Sequence, residues 1–265
     1  MNFPPYQTLL VTPHDDHVLL VTLNRPAVLN ALDTQMGHDL LDLWLRLTVD
    51  AGTVRCVVLT GSGSKGFCAG GDLKERDGMT QAAWQAQHEL FERSFVALME
   101  LPTPVIAALN GHAYGGGLEM ALACDFIYAV RGARFALSET RLGIMPGGCG
   151  TQNMARAVGE RRAKELVLTA KAFSAEDGLA WGAFNQVCEP GQALADAIAT
   201  ARAIADNGPL SVRQAKKSIH YGLQMDLLTG YRFEIEAYNR LVDTEDRREG
   251  VRAFNEKRKP VFVGR

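Results

Sequence analysis

Residues 111–125 read GHAYGGGLEMALACD, with three adjacent glycines directly ahead of a short apolar run. Adjacent glycines are costly in conformational entropy, so Gly115, Gly116 and Gly117 imply a specific need of the backbone. The run behind them predicts a helix to about Cys124. Glycines at that place let a ligand approach the free N–H groups of the first helical turn. An oxyanion held there gains from those donors and from the helix dipole. Glu119 falls in the same turn, where a carboxylate suits a general base acting beside a polarised carbonyl. The plainer alternative is that Glu119 only complements the dipole while the glycines allow tight packing.

On the N-terminal side, VIAAL (105–109) reads as a buried strand. Before it lie a strand at 18–23 and a loop ending at Asp33, a suitable N-cap. Met36, Leu40, Leu43 and Leu47 then recur at helical spacing. A second buried strand covers 54–60, and the glycine-rich stretch GSGSKGFCAGGD follows it. Thr80 is placed to cap a helix running to about Met99, with Leu90, Phe91, Phe95 and Leu98 inward. In FCAGGDLK, Gly71 has no side chain to block its amide, which could join that of Gly116 as a second donor. Each such donor is worth about 3 kcal/mol of barrier.

On the C-terminal side, Asp125 opens a strand, DFIYAV, and a turn at Arg131–Ala133 leads through Phe135 to Glu139. Glu139 lies in FALSETRLGIMPGGCGTQ, between a strand and a Gly/Pro loop, a usual place for a working residue. The alternative is a surface carboxylate paired with Arg141. The path from 119 to 139 is short enough to bring both carboxylates to one pocket, where differing environments can divide acid and base roles. Helices are expected near 150–158 and 161–169, and another begins at Ser174 with Asp177. From about 192 the chain reads as helices only, broken at Gly208-Pro209, with a third over 226–242 and a fourth capped by Thr244. The pattern predicts an α/β core with an all-helical C-terminal domain and no repeat visible in the residues.

Composition narrows the function. The 265 residues are 47% hydrophobic and 22% charged, with a net charge of -2, so there is no basic footprint for nucleic acid. Five cysteines without a CxxC pair suggest a reducing compartment. The first 17 residues lack a basic n-region and an apolar h-region, and no apolar run is long enough for a bilayer. The expectation is a cytoplasmic protein with no membrane partner.

Other features read as decoys or background. Gly61, Gly63 and Gly66 satisfy GxGxxG after a strand, the mark of a nicotinamide site, but the chain continues into FCAGGDLK, read as more loop. No Gly-Lys-Ser/Thr follows for a nucleotide phosphate. His14, Asp15, Asp16 and His17 alternate in direction at a hairpin tip and read as a solvated turn rather than a metal site. His112 reads as a structural hydrogen-bonding group, with contact to a ligand's arm as the alternative. Cys68 reads as packing. Arg247, Arg248, Arg252, Lys257, Arg258 and Lys259 form either a solvated face or a patch for phosphates.

GFCAGGDLKE, VIAALNGHAYGGGLEMALACD, FALSETRLGIMPGGCGTQ and VRAFNEKRKP together, in order and along nearly the whole chain, resemble the crotonase (enoyl-CoA hydratase/isomerase) superfamily. The resemblance implies a spiral of ββα units over 1–200 and a helical trimerisation domain over 201–265, in a homotrimer or dimer of trimers. It implies hydration of a 2-enoyl-CoA thioester, with no metal and no cofactor beyond the coenzyme A of the substrate. By position, Gly71 and Gly116 would supply the oxyanion amides, Glu119 would deprotonate water and Glu139 would protonate Cα. Ala69, Gly71, Asp72, Leu73, Lys74, Gly115 and Gly116 would border the substrate, and Phe254 and Lys257 would reach a neighbour's coenzyme A.

DLKERDGM, LEMALACD, SETRLGIMPGG, AKELVL and MDLLTG resemble the 3-methylglutaconyl-CoA hydratases of leucine breakdown, which also bind AU-rich RNA. This chain has GGCGTQN where relatives commonly read GGGGTQR, so Cys149 and Asn153 would reshape the pocket rim and remove a positive charge. The helix DTQMGHDLLDLWLRLTVD is net acidic, which opposes RNA binding there. Isomerisation of an enoyl-CoA and an RNA-binding role on the same fold are the alternatives.

Overall fold

The computed structural model describes residues 3–265. Strand β1 (Leu9–Pro13) pairs antiparallel with β2 (Val18–Leu23), and helix α1 (Thr34–Val49) follows. From there the chain repeats one step. It lays a strand in a first sheet, a short strand in a second sheet, and then a helix. The first step is β3 (Cys56–Gly61), β4 (Gly66–Cys68), the one-turn α2 (Leu73–Arg76) and α3 (Gln81–Met99). The next is β5 (Val105–Leu109), β6 (His112–Tyr114) and α4 (Gly116–Leu122). The third is β7 (Phe126–Val130), β8 (Arg134–Ala136), a 3-10 turn at Glu139–Leu142, α5 (Gly150–Val158) and α6 (Glu160–Thr169). Then come β9 (Phe173–Ser174), α7 (Ala175–Trp181), β10 (Gln186–Cys188) and α8 (Ala193–Ala205).

The first sheet runs β1-β2-β3-β5-β7-β10 and the second β4-β6-β8-β9. In the first sheet only β1 is antiparallel; in the second, β9 is antiparallel to β8. An isolated parallel bridge between Leu32 and Gly71 continues the second sheet past β4. This is the ββα spiral implied by the family resemblance, and it is a repeat that the residues do not display. Each short strand contributes only two or three residues, too few for a periodic signal.

The central strands are buried on both faces, as parallel strands between helices must be. Along β3, Val57 and Leu59 face the layer of α1 and α3, while Cys56 and Val58 face α8. Along β5, Val105, Ala107 and Leu109 take the first face and Ile106 and Ala108 the second. Helix α8 meets that second face with Ala197 and Ala201, small residues that allow close approach, and with Ile198. The expected caps are in place: Asp33 accepts from the Met36 N–H, Thr80 from Ala83, and Thr244 from Arg247. Ser174 and Asp177 form a reciprocal capping box.

Helix α8 spans position 200, and the helices beyond it are α9 (Pro209–Gly222), α10 (Leu227–Asn239) and α11 (Glu245–Asn255). They leave large apolar side chains in water: Leu223 is 76% exposed, Leu227 85% and Leu228 66%. No helix among the described residues is long and apolar enough to cross a membrane.

The segment after the glycines at 61–66 differs from the sequence expectation. It is not continuous loop, because Gly66–Cys68 forms β4 and Asp72 caps α2 by accepting from the Lys74 and Glu75 amides. The glycine motif itself lies in the β3–β4 turn, with Gly63 at positive φ and no helix opening on it.

Candidate active site

The second sheet ends against the N-terminus of α4, and each glycine there meets a different constraint. Gly115 has φ 51° and ψ -128°, a conformation favoured only by glycine. A Cβ on Gly117 would stand 2.4 Å from the Cys68 carbonyl oxygen, so β4 and α4 are in backbone contact. The backbone need implied by the three glycines is therefore real, and part of it is packing.

The amides of Gly71 and Gly116 come together at this junction. Leu32 donates to the Gly70 carbonyl and accepts from Asp72, which turns the Gly71 N–H away from Leu32. A Cβ built on Gly116 would lie 4.0 Å from the Gly71 nitrogen. Gly116 opens α4, so its N–H has no partner within the helix.

Glu119 and Glu139 face one cavity of about 600 Å³ at the same junction. Glu119 is 4% exposed, and its Oε1 accepts the amides of Gly148 at 2.8 Å and Gly150 at 2.9 Å. Burial raises its pKa, against the pull of those amides and of His88. Glu139 is 9% exposed and opens the 3-10 turn at Glu139–Leu142. Neither of its oxygens has a hydrogen-bond partner, and no ion pair with Arg141 forms. Burial first, and the charge of Glu119 second, push its pKa up to about 7. The two carboxylates thus differ in environment: burial raises the pKa of both, but one is gripped by amides and the other is bare.

Ala69, Gly71, Leu73, Gly115 and Gly116 line the cavity. Asp72 and Lys74 do not; the Asp72 carboxylate is committed to capping α2 and to Arg25 at 3.0 Å. Phe254, 84% exposed on α11, and Lys257, at positive φ just beyond it, are outside the cavity. Cys149 sits at φ 70° between the two glycines that grip Glu119, and Asn153 contacts the Met99 sulfur at 3.6 Å. Neither side chain lines the cavity.

Several side chains settle as background. His112 Nδ1 accepts from the Arg134 amide at 2.9 Å. Cys68 is fully buried, its thiol pushed up to about 12 by desolvation. Asp15 accepts from the amides of His17 and Val18, and among the described residues no group of three His, Cys, Asp or Glu is placed to hold a metal. Arg252 and Arg258 are both committed to Glu249 at 2.6 Å. On α1, Arg46 pairs with Asp42.

The sequence reading missed three contributors. Gly148 and Gly150 orient Glu119, and a GGCG run before a helix was the available signal. Arg76 lines the cavity, brought there by α2. Asn30, fully buried at φ 56°, donates to the carbonyls of Ser62, Gly66 and Phe67 at 3.0–3.1 Å. It fixes the turn that leads into β4, and no local pattern announces it.

Comparison with known proteins identifies the family. Residues 14–265 match the family profile described as enoyl-CoA hydratase/isomerase. An (E)-benzylidenesuccinyl-CoA hydratase of Thauera aromatica is 41% identical over 250 residues, covering 94% of this chain and 96% of the relative. A short-chain-enoyl-CoA hydratase of Clostridium acetobutylicum is 38% identical over 250 residues, covering 94% and 95%. The crystal structure of an enoyl-CoA hydratase from Bacillus anthracis superposes with a TM-score of 0.95 at 41% identity, covering 98% of this chain and all of the other.

Proposed function

Because the chain belongs to the enoyl-CoA hydratase/isomerase family and is an enzyme of the enoyl-CoA hydratase type, we propose that Glu119 and Glu139 carry out the addition of water. The thioester oxygen is held by the Gly71 and Gly116 amides, which stabilise the enolate as it forms. Glu119 takes a proton from a water that attacks Cβ, and Glu139 delivers a proton to Cα. The reaction needs no metal or redox cofactor; coenzyme A arrives as part of the substrate. The observation that carries this reading is the opposed state of the two carboxylates around one cavity: Glu119 fixed by two amides, Glu139 unbonded with a pKa near 7.

For the acyl group, 3-methylglutaconyl-CoA of leucine breakdown is the finer reading, with short-chain enoyl-CoA beside it. The segments DLKERDGM and SETRLGIMPGG support the first. The chain works as a homotrimer or dimer of trimers in the cytoplasm. The exposed apolar residues of α9 and α10 support the assembly, and Phe254 and Lys257 reach a neighbour's coenzyme A within it. Nucleic acid is not a partner, consistent with the acidic α1.

The purified protein, mixed with crotonyl-CoA or 3-methylglutaconyl-CoA, bleaches the ultraviolet absorbance of the conjugated enoyl thioester and yields a 3-hydroxyacyl product. A shifted double bond with no water incorporated would make it an isomerase instead.

A further inference from the structure

Arg76 is a cation held in the cavity wall without a carboxylate partner. Its Nε donates to Gln87 Oε1 at 2.8 Å. Gln87 is buried, and its own amide donates to Thr34 Oγ1 at 2.9 Å and Glu75 Oε2 at 2.8 Å. Glu75 also accepts the Thr34 amide, so this neighbouring carboxylate is committed elsewhere and makes no ion pair with Arg76. The guanidinium plane is fixed a second way, 4.7 Å from the centre of the Trp84 ring and 5.9 Å from that of Phe91.

What this leaves is the forked end of the side chain. Among the described residues, Nη1 and Nη2 donate to no protein group, and they are not sealed in the interior. They open on the cavity beside the thioester position: a Cβ on Gly71 would stand 3.0 Å from Nη1. The bare glycine thus makes room for Arg76 as well as for substrate. Phe91 and Phe95, both 7% exposed, close the same wall with apolar surface. Burial lowers the guanidinium pKa, against the opposing pull of the nearby Glu75 and Glu119 charges. A guanidinium in that state, with its fork free, matches a carboxylate in both charge and geometry.

We infer that Arg76 selects enoyl-CoA thioesters whose acyl chain carries a carboxylate of its own, which Nη1 and Nη2 hold as a bidentate pair. This rests on the hydratase reading and names the substrate class of the same pocket. An uncharged acyl chain leaves the fork unpaired. A carboxylated one entering without Arg76 meets the negative charge of Glu119 and loses its water with no compensation.

The test compares glutaconyl-CoA with crotonyl-CoA, which differ by the carboxylate at the acyl end. The wild-type protein favours glutaconyl-CoA. Arg76→Gln lowers the glutaconyl-to-crotonyl ratio of kcat/KM by about 100-fold, mostly through KM, and Arg76→Lys restores part of it. Should Arg76→Gln fail to fold, the same ratio in Arg76→Lys decides, since lysine keeps the charge and loses the fork. An unchanged ratio with both rates falling together would mean that Arg76 supports the fold or the coenzyme A arm, and the inference would be wrong. A wild-type preference for crotonyl-CoA would also overturn it and leave the hydratase reading standing. Hydration of neither thioester would sink that reading itself.

Discussion

The Gly150 amide donates to Oε1 of Glu119 at 2.9 Å, and a Cβ built on Gly150 would stand 2.7 Å from that oxygen. The contact that aims the carboxylate therefore also forbids a side chain. Gly150→Ala pushes Glu119 out of line and lowers kcat by roughly 100-fold, since a displacement of about 1 Å costs that much in a positioned site. Steady-state kinetics on crotonyl-CoA check this, and a kcat within a few-fold of wild type would show that the clamp does not position Glu119.

Glu139 gives a stability test with a definite sign. Its pKa rises from 4.5 to about 7 on folding, so between those values the folded chain binds more protons than the unfolded one. The residue costs nothing below the lower value, and its cost grows as pH rises to the upper value and persists above it. Glu139→Gln removes that cost and raises Tm by several degrees at pH 8, with little change at pH 4.5. Thermal unfolding at both pH values checks this. An equal shift at both would assign the effect to packing.

The same group sets a rate limit. A general acid must be protonated in the free enzyme, so kcat/KM for hydration falls as pH rises through about 7. The limb belongs to the coupled pair, because Glu119 contributes to the shift. A profile flat from pH 6 to 9 would remove Glu139 as the proton donor.

Asn30 holds the β3–β4 turn through three carbonyls and accepts from the Arg25 amide at 2.9 Å and the Ser62 hydroxyl at 3.0 Å. Asn30→Ala leaves those buried groups unpaired and costs about 3 kcal/mol or more. Denaturant unfolding measures it; a loss under about 1 kcal/mol would mean that water replaces the side chain.

What could be read from the residues follows how local its cause is. Asp33, Thr80, Ser174 and Thr244 cap helices through bonds to amides three residues on, so their roles show in any short window. The buried strands β3 and β5 show as apolar runs. Glu119 and Glu139 were legible as candidates because each sits at an element end beside glycines. The Asn30 stitch, the Gly148–Gly150 clamp and the Arg76 fork each join segments distant in sequence. No periodicity encodes such contacts. Arg76 stayed hidden for a further reason: α2 is a single turn, too short to show a helical pattern.

Two carboxylates that act as one unit on one thioester leave a distinct signature in a double-variant cycle. Glu119→Gln and Glu139→Gln each lower the hydration rate of crotonyl-CoA by roughly 1,000-fold or more, and the double variant falls little below the worse single one. A rate in either single variant within a few-fold of wild type would remove that residue from the reaction, and losses that simply multiply in the double variant would mean that the two carboxylates act independently.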